Sequence, residues 1–334
     1  PFHPLNRGFD YFYGFLGGGH DYYLIDTTKP LGEAYYQPLN RNRGPADFEG
    51  YLTTALSRDA VSFIQSNKEQ PFFLFLSYNA PHTPLQAPKE VIAKYAHIKD
   101  RKRRIYAAVM DQGIGEVVQC LVENGLRENT LVFFLSDNGG PIGMSWNPDF
   151  GNGSNNGSFR GGKTNMYEGG IHVPFVASWP SHIPSGMTFD TPVAAIDISR
   201  TAVELAGADA NAGNSMEGVN LIPFVTGEQS GVPHETLFWR GKDGARWAVL
   251  GQNRYKYLQD KINGARELFH LPSDESETTN ISTEKAEIAK QLHQRWEEWN
   301  KSNVPSRVHN YLNYHKQRDE FYQATNLPSE IKQE

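Results

Sequence analysis

The 334-residue sequence predicts an α/β protein with a mostly parallel central sheet flanked by helices, followed by a small antiparallel sheet with a packed helix. Two observations support the first part. Apolar runs of strand length alternate with helical periodicities, which is the order typical of parallel sheets. These runs are continuously apolar, as expected of strands that are buried on both faces. The second part rests on short apolar runs after residue 233, which turn residues separate at the spacing of an antiparallel sheet.

Each element can then be placed along the chain. Apolar residues that recur at steps of three and four predict the helices Leu52–Asn67, Arg103–Glu123 and Ile198–Ala206. The central strands are expected at Phe72–Leu76, Leu131–Leu135, Val173–Ser178 and Val193–Ile196. The C-terminal sheet is expected to use Leu237–Arg240, Trp247–Leu250, Tyr255–Leu258 and Glu267–His270, followed by the helix Thr283–Lys301. We therefore expect an α/β domain over residues 1–232 and a C-terminal subdomain over residues 233–334.

The composition is that of a folded protein with a mild acidic excess. Hydrophobic residues make up 38% of the chain, and its formal net charge is −6. This balance lacks the basic character typical of nucleic-acid binders, so no nucleic-acid partner is expected. No apolar run approaches the ~20 residues that a membrane-spanning helix needs. Cys120 is the only cysteine, and its place on a predicted amphipathic helix favours a buried, inert thiol.

Asp137 and Asn138 directly follow a predicted buried strand, in the sequence Ser-Asp-Asn-Gly-Gly. Ligands of open α/β sheets bind beyond the carboxyl ends of the strands. Adjacent carboxylate and amide oxygens are ligands that Mg²⁺ and Ca²⁺ prefer. The same residues also form Asx turns readily, so a purely structural turn is the alternative.

His82 and Lys163 stand at comparable places in the sequence. His82 lies beyond the predicted strand Phe72–Leu76, between two prolines that stiffen its backbone. Lys163 follows two glycines in Arg-Gly-Gly-Lys-Thr, and its ammonium suits an oxyanion. Each residue alone is compatible with a structural or solvated role. Together with Asp137 and Asn138, they would bind and polarise a tetrahedral oxyanion.

These motifs resemble those of the sulfatases, the formylglycine-dependent sulfate-ester hydrolases of the alkaline phosphatase superfamily. The resemblance covers the segments 7–15, 80–84, 135–140, 161–163, 167–174 and 267–271 in the family's order. It implies an alkaline-phosphatase-like fold, hydrolysis of a sulfate ester to alcohol and sulfate, and a bound Ca²⁺ or Mg²⁺. It also implies that Asp137 and Asn138 are metal ligands and that His82 and Lys163 are catalytic residues in contact with the sulfate.

The sequence departs from the family pattern at the nucleophile. The family makes formylglycine from a Cys/Ser-x-Pro-x-Arg motif, which occurs nowhere in the chain. We therefore expect the formylglycine in an N-terminal segment that this chain lacks, that segment as a partner of the chain, and an inactive isolated chain. Two alternatives stay open: a phosphodiesterase or phosphonate hydrolase of the same superfamily, and a non-catalytic glycan-binding relative.

A sulfated saccharide is the expected substrate. The segment Gly-Gly-Gly-His-Asp at 17–21 is similar to that of bacterial sulfatases acting on sulfated polysaccharides, which implies a periplasmic or secreted protein. Aromatic rings suit sugar faces, and amides and carboxylates suit sugar hydroxyls. The residues expected to contact the substrate are His20, Asp21, Trp146, His172 and Arg240, with simple packing as the alternative for each.

Overall fold

The computed structural model of the chain describes residues 3–17, 19–23, 39–98, 101–142, 154–213, 216–241 and 244–304. These residues fall into two compact units that meet in the sequence between Thr130 and Leu131. Residues 233–304 pack in the same unit as residues 131–232, so the predicted boundary at residue 232 does not separate two units. None of the helices in the described residues has the length and apolar character needed to cross a membrane.

The first unit combines a small antiparallel sheet with three helices. The sheet has the order β1 (Tyr13–Gly14), β2 (Leu39–Arg41) and β3 (Gly44–Ala46). The helices are α1 (Leu52–Asn67), α2 (Lys89–Lys94) and α3 (Arg101–Glu123), and α3 packs against both others. The apolar period of α1 explains its place, because Leu52, Leu56, Ala60 and Ile64 form its buried face.

The predicted strand Phe72–Leu76 does not pair with another strand in the described residues. Its alternate side chains are open to solvent, with Phe73 52% exposed and Phe75 68% exposed. An extended apolar run becomes a strand only when a neighbouring strand takes up its backbone hydrogen bonds. The described part of the first unit offers no such neighbour to this run.

In the second unit, β4 (Val132–Leu135) pairs with β5 (Phe175–Ser178), and Leu135 lies opposite Phe175. Both strands were expected from the sequence, but this described pair is antiparallel. The expected strand Val193–Ile196 is not formed, because Ile196 already begins α5 (Ile196–Leu205). The Asp197 carboxylate accepts a hydrogen bond from the Ala194 N–H at 2.7 Å, which stabilises a helix start here. Two short helices, α4 (Glu168–Ile171) and α6 (Ile222–Val225), lie on either side of α5 in the sequence.

The C-terminal part contains the predicted small antiparallel sheet and its helix. The strands β6 (Leu237–Arg240), β7 (Trp247–Leu250), β8 (Tyr255–Gln259) and β9 (Glu267–His270) pair in chain order, and α7 spans Ala286–Ser302. Trp247, Val249, Tyr257 and Leu268 face Ala289, Leu292 and Trp296 of α7. The opposite face, with Ala248, Leu258 and Phe269, packs against Met166 and Tyr167. The sheet is therefore covered by α7 on one face and by the segment around residue 166 on the other.

Replacing Leu258 with alanine tests this double-faced core. Leu258 is fully buried, so Leu258→Ala is expected to lower the free energy of unfolding by about 2–5 kcal/mol through lost burial and a cavity. The matched control is Ile262→Ala at a site that is 59% exposed, where a change of no more than about 0.5 kcal/mol is expected. Urea unfolding followed by circular dichroism measures both. Equal losses for the two variants would contradict the assigned core.

Candidate active site

Asp137 and Asn138 lie just beyond the end of β4. Asp137 is exposed, and its carboxylate makes no hydrogen bond or ion pair with any described residue. The Asn138 amide group donates to the Gly139 carbonyl at 3.0 Å, which leaves its amide oxygen available. The alternative of an Asx turn would need the Asp137 carboxylate to accept a backbone N–H, and the described residues contain no such bond. The described residues therefore do not form the Asx turn, and the ligand role of Asp137 stays a prediction.

Backbone hydrogen bonds join this segment to the one that carries Lys163. The Lys163 N–H donates to the Gly140 carbonyl at 3.1 Å, and the Gly139 N–H donates to the Gly170 carbonyl at 3.0 Å. The stretch at residues 139–140 thus meets two later stretches, around Lys163 and Gly170, through their main chains. We call Gly139, Gly140, Gly162, Gly169 and Gly170 the glycine junction.

The glycine junction has no room for side chains. A Cβ added to Gly139 would lie 1.8 Å from the Gly169 carbonyl oxygen, and one added to Gly162 would lie 2.4 Å from the Gly140 carbonyl oxygen. Real Cβ atoms do not approach a carbonyl oxygen this closely. Each glycine is therefore needed because another backbone occupies the space of its missing side chain.

Asn156 and Asn165, which were not predicted as site residues, stabilise the glycine junction through hydrogen bonds. The Asn156 amide oxygen accepts from the Gly140 N–H at 2.9 Å. Its amide nitrogen donates to the carbonyls of Gly140 and Gly161 at 2.9 and 3.0 Å. The Asn165 amide oxygen accepts from the Gly162 N–H at 3.0 Å. Their position in a glycine-rich loop is the sequence feature that could have identified these asparagines. An asparagine amide can hydrogen-bond backbone groups on two segments at once.

Lys163 keeps its charge unpaired at this junction. Its side chain is half-buried, and its ammonium makes no hydrogen bond or ion pair with any described residue. The structure therefore brings together three predicted site residues: Asp137, Asn138 and Lys163. Chemically, this arrangement offers two hard oxygen ligands for a cation and one positive charge for an oxyanion.

His82 belongs to the first unit, where the surrounding chain fixes its backbone and ring. Its N–H donates to the Asn79 carbonyl at 2.8 Å, and its own carbonyl accepts from the Tyr22 hydroxyl at 2.9 Å. The ring Nδ1 lies 2.9 Å from the Thr83 carbonyl oxygen. Because a carbonyl only accepts, this contact places a proton on Nδ1.

In the segment at residues 19–23, the side chain of Asp21 is more exposed to solvent than that of His20. His20 is fully buried, and its ring packs against Phe15 and Phe48. This favours packing for His20, and its contact with a substrate stays a prediction. Asp21 is half-buried and accepts from the Gln86 amide at 2.8 Å. Gln86 was not singled out from the sequence, yet it ties Asp21 to the loop that follows His82.

The remaining predicted substrate contacts are placed differently. The His172 ring stacks on Phe159 with centroids 4.5 Å apart, and its Nδ1 lies 2.8 Å from a Glu168 carboxylate oxygen. The Arg240 guanidinium donates to the Asn300 side chain at 2.8 Å and to the Val304 carbonyl at 2.9 Å. Arg240 thus holds the end of α7, which argues against a substrate contact. Trp146 lies outside the described residues.

Among the described residues, the predicted metal ligands are Asp137 and Asn138, and this role stays a prediction. No group of three or more His, Cys, Asp or Glu side chains in the described ranges is placed to hold a metal ion. Cys120 is buried, and burial raises the pKa of its thiol. A buried thiol with a raised pKa is a poor nucleophile and a poor metal ligand. The oxygen chemistry of the pair fits part of a cation site.

Two family models match the chain. The model described as Sulfatase matches residues 2–208. The model described as N-sulphoglucosamine sulphohydrolase, C-terminal, matches residues 157–302. The first match covers more than half of the sequence and contains Asp137, Asn138 and Lys163. The chain belongs to the sulfatase family.

Curated relatives agree with this membership. The uncharacterized sulfatase YdeN of Escherichia coli K12 is 33% identical over 246 residues, which is 71% of this chain and 40% of the relative. N-acetylgalactosamine-6-sulfatase of Mus musculus is 31% identical over 258 residues, which is 72% of this chain and 46% of the relative. The chain thus spans less than half the length of these two relatives.

Solved structures confirm the predicted alkaline-phosphatase-like α/β fold class. Ps i-CgsB in complex with k-i-k-neocarrahexaose has a TM-score of 0.82 and 33% identity, and the match covers 99% of this chain and 74% of that one. PsFucS1 sulfatase from Pseudoalteromonas sp. has a TM-score of 0.71 at 22% identity over 91% of this chain and 69% of that one. The second likeness concerns the fold alone.

The glycine junction can be tested with one methyl group. Gly139→Ala is expected to lower the free energy of unfolding by about 1–3 kcal/mol or more, because the new methyl overlaps the Gly169 carbonyl. The control is Gly115→Ala within α3, where a Cβ meets nothing within 4 Å. That change is expected to stabilise by roughly 0.5–1 kcal/mol. Thermal unfolding compares the two. A Gly139→Ala variant as stable as the parent protein would contradict the close backbone contact.

Proposed function

We propose that the protein carrying this chain hydrolyses sulfate esters of a sulfated saccharide and releases inorganic sulfate. One observation carries the proposal. The backbone hydrogen bond from Lys163 to Gly140 puts the ammonium-bearing turn next to the segment that holds Asp137 and Asn138. A positive charge beside two cation ligands suits a substrate with several negative oxygens. Membership in the sulfatase family supports sulfate as that group.

Each site residue has a distinct role in this proposal. Asp137 and Asn138 supply two oxygen ligands to a divalent cation, Ca²⁺ or Mg²⁺. Such a cation, when bound, holds sulfate oxygens and offsets their charge. Lys163 holds a sulfate oxygen through its charge. In its doubly protonated form, His82 would donate the Nε2 proton to the leaving alcohol oxygen and become the neutral imidazole, with its Nδ1–H still facing the Thr83 carbonyl.

Sulfatases generally depend on a metal ion and on formylglycine. The chain contains no Cys/Ser-x-Pro-x-Arg motif, and Cys120 is buried in α3. We therefore propose that formylglycine comes from a segment other than this chain, and that further ligands join Asp137 and Asn138 at the cation. In this proposal, the described residues bind the sulfate and its cation and assist the leaving group.

A sulfated saccharide is favoured over a simple aryl sulfate. The solved structure with 33% identity holds a neocarrahexaose, and the half-buried Asp21 can accept hydrogen bonds from sugar hydroxyls. We also propose that the protein is periplasmic or secreted, because an enzyme in these locations can reach polysaccharide substrates. The phosphonate monoester hydrolase SpPMH is 18% identical, so its likeness concerns the fold and does not support phosphonate hydrolysis here. A non-catalytic glycan-binding role is separated from hydrolysis by the activity assays below.

Asp137→Ala tests the cation role. The change removes one ligand and one opposing negative charge, so bound calcium and sulfatase activity are expected to fall together. Elemental analysis of the purified protein measures the metal, and sulfate release measures activity. Asp190→Ala is the control, because Asp190 is also exposed in the same unit. Metal content that stays unchanged in Asp137→Ala would contradict the ligand role of Asp137.

The substrate class can be tested with paired substrates. Sulfated oligosaccharides are expected to exceed 4-nitrophenyl sulfate in kcat/KM by at least about tenfold, which corresponds to ~1.4 kcal/mol of transition-state binding. Asp21→Asn is expected to lower kcat/KM for the saccharides only. A smaller preference would contradict the saccharide assignment. Saccharide binding without any sulfate release would instead indicate the glycan-binding relative.

A further inference from the structure

Three charged side chains are buried together beneath the candidate site. The Lys256 ammonium lies 2.7 Å from a Glu168 carboxylate oxygen and 2.9 Å from a Glu277 carboxylate oxygen. Lys256 and Glu277 are fully buried, and Glu168 is buried as well. We call Glu168, Lys256 and Glu277 the buried charge cluster.

Such a cluster is costly to bury and adds little to stability. Desolvation of the charges opposes their attraction, so neutral replacements of similar volume are often as stable. Burial raises the pKa of Glu168, but the hydrogen bond from His172 and the charge of Lys256 outweigh it and lower that pKa to about 2. Burial raises the pKa of Glu277, and Lys256 only partly opposes this. We therefore attribute the buried charge cluster to the backbone geometry that it holds in place, and not to a gain in stability.

The cluster is attached to the glycine junction. Glu168 begins α4, and its N–H donates to the Glu277 carboxylate at 2.6 Å. The next residue, Gly169, donates to the Arg160 carbonyl at 2.8 Å and belongs to the junction. Gly170 of the same helix accepts from the Gly139 N–H. A shift of Glu168 would thus move both glycines that meet the cation-ligand segment.

A second anchor comes from Asp260, which directly follows β8. The buried Asp260 carboxylate accepts from the Met166 N–H at 2.5 Å and from the Asn165 amide at 3.0 Å. Asn165 in turn accepts from the Gly162 N–H, directly before Lys163. Lys256 and Asp260 are four residues apart, a spacing that places them on the same face of an extended chain.

We infer that Lys256 and Asp260 are positioning residues that fix the turn presenting Lys163 to the substrate oxyanion. The two residues touch neither the cation ligands nor the substrate. They act through Glu168 and Asn165, which hold the two sides of the turn from residue 160 to residue 170. This inference rests on the proposed function for its catalytic consequence, while the mechanical connection is independent of it.

The test is a double-mutant cycle with Lys163. Lys163→Ala is expected to lower kcat with little change in KM, because its charge matters most where oxyanion charge is held. The mild variants Lys256→Arg and Asp260→Asn are each expected to lower kcat by about tenfold to a hundredfold through misplacement of Lys163. Combined with Lys163→Ala, either change is expected to cost almost nothing more, because the group that it positions is already gone.

The control is an ion pair that makes no hydrogen bond to the glycine junction within the described residues. His234 lies 2.8 Å from Asp197, and both side chains are buried. Asp197→Asn is expected to lower the melting temperature while kcat stays unchanged. If Lys256→Arg and Asp260→Asn also change only the melting temperature, or if their effects multiply with that of Lys163→Ala, the positioning role is wrong.

A readout without turnover separates this inference from the proposed function. Hydrogen exchange of the backbone at residues 160–170 is expected to speed up by about tenfold or more in Lys256→Arg and Asp260→Asn, but not in Asp197→Asn. Absence of turnover in the parent protein, or no effect of Lys163→Ala, would reject the proposed function. Unchanged exchange at residues 160–170 would overturn the inference whatever the turnover.

Discussion

Backbone-to-backbone contact between glycines is the constraint on which the candidate active site depends. Gly139 faces the Gly169 carbonyl oxygen at a distance that no side chain would allow. This closeness lets a strand end, a turn and a short helix share hydrogen bonds, so that segments some 25 residues apart hold one another. Asp137, Asn138 and Lys163 need no direct contact with each other, because their main chains already fix where each side chain begins. The site is thus preorganised by its backbone, which is the arrangement that costs least reorganisation during a reaction.

The C-terminal sheet is part of this arrangement and does not form a separate unit. One face of the sheet packs against α7, and the other packs against Met166 and Tyr167, directly after the Lys163 turn. The Arg160 guanidinium lies 3.9 Å from the Tyr167 ring centroid and donates to the Glu277 carbonyl. Apolar packing, stacking and hydrogen bonds therefore all tie the same turn to the same sheet. This explains why the compact unit runs through residue 232 without a break.

The sequence predicts the positions of helices and strands better than it predicts which strands pair and in which direction. The helix at Leu52–Asn67, the strands around Val132 and Phe175, and the C-terminal meander follow from local periodicity, which is a short-range property. Strand direction depends on contacts between distant residues, so the antiparallel β4–β5 pair could not be inferred. Asp137, Asn138 and Lys163 lie in recognisable motifs, and Asn156 lies in a glycine-rich loop. Gln86 and Lys256 act through long-range hydrogen bonds that leave no local pattern. His20 and Arg240 have residue types that suit a sugar. In the structure, rings pack against His20 and Arg240 bonds to α7, and their contact with a substrate stays a prediction.

The unpaired state of Asp137 and Lys163 is the strongest physical hint about the ligand. In the interior of the same unit, Lys256 pairs with Glu168 at 2.7 Å. Asp137 and Lys163 instead make no ion pair with any described residue, although their main chains are joined through Gly140 and the glycine junction. A ligand that satisfies both must carry positive charge towards Asp137 and negative charge towards Lys163. A divalent cation bound to an oxyanion has this polarity, and neither ion alone does.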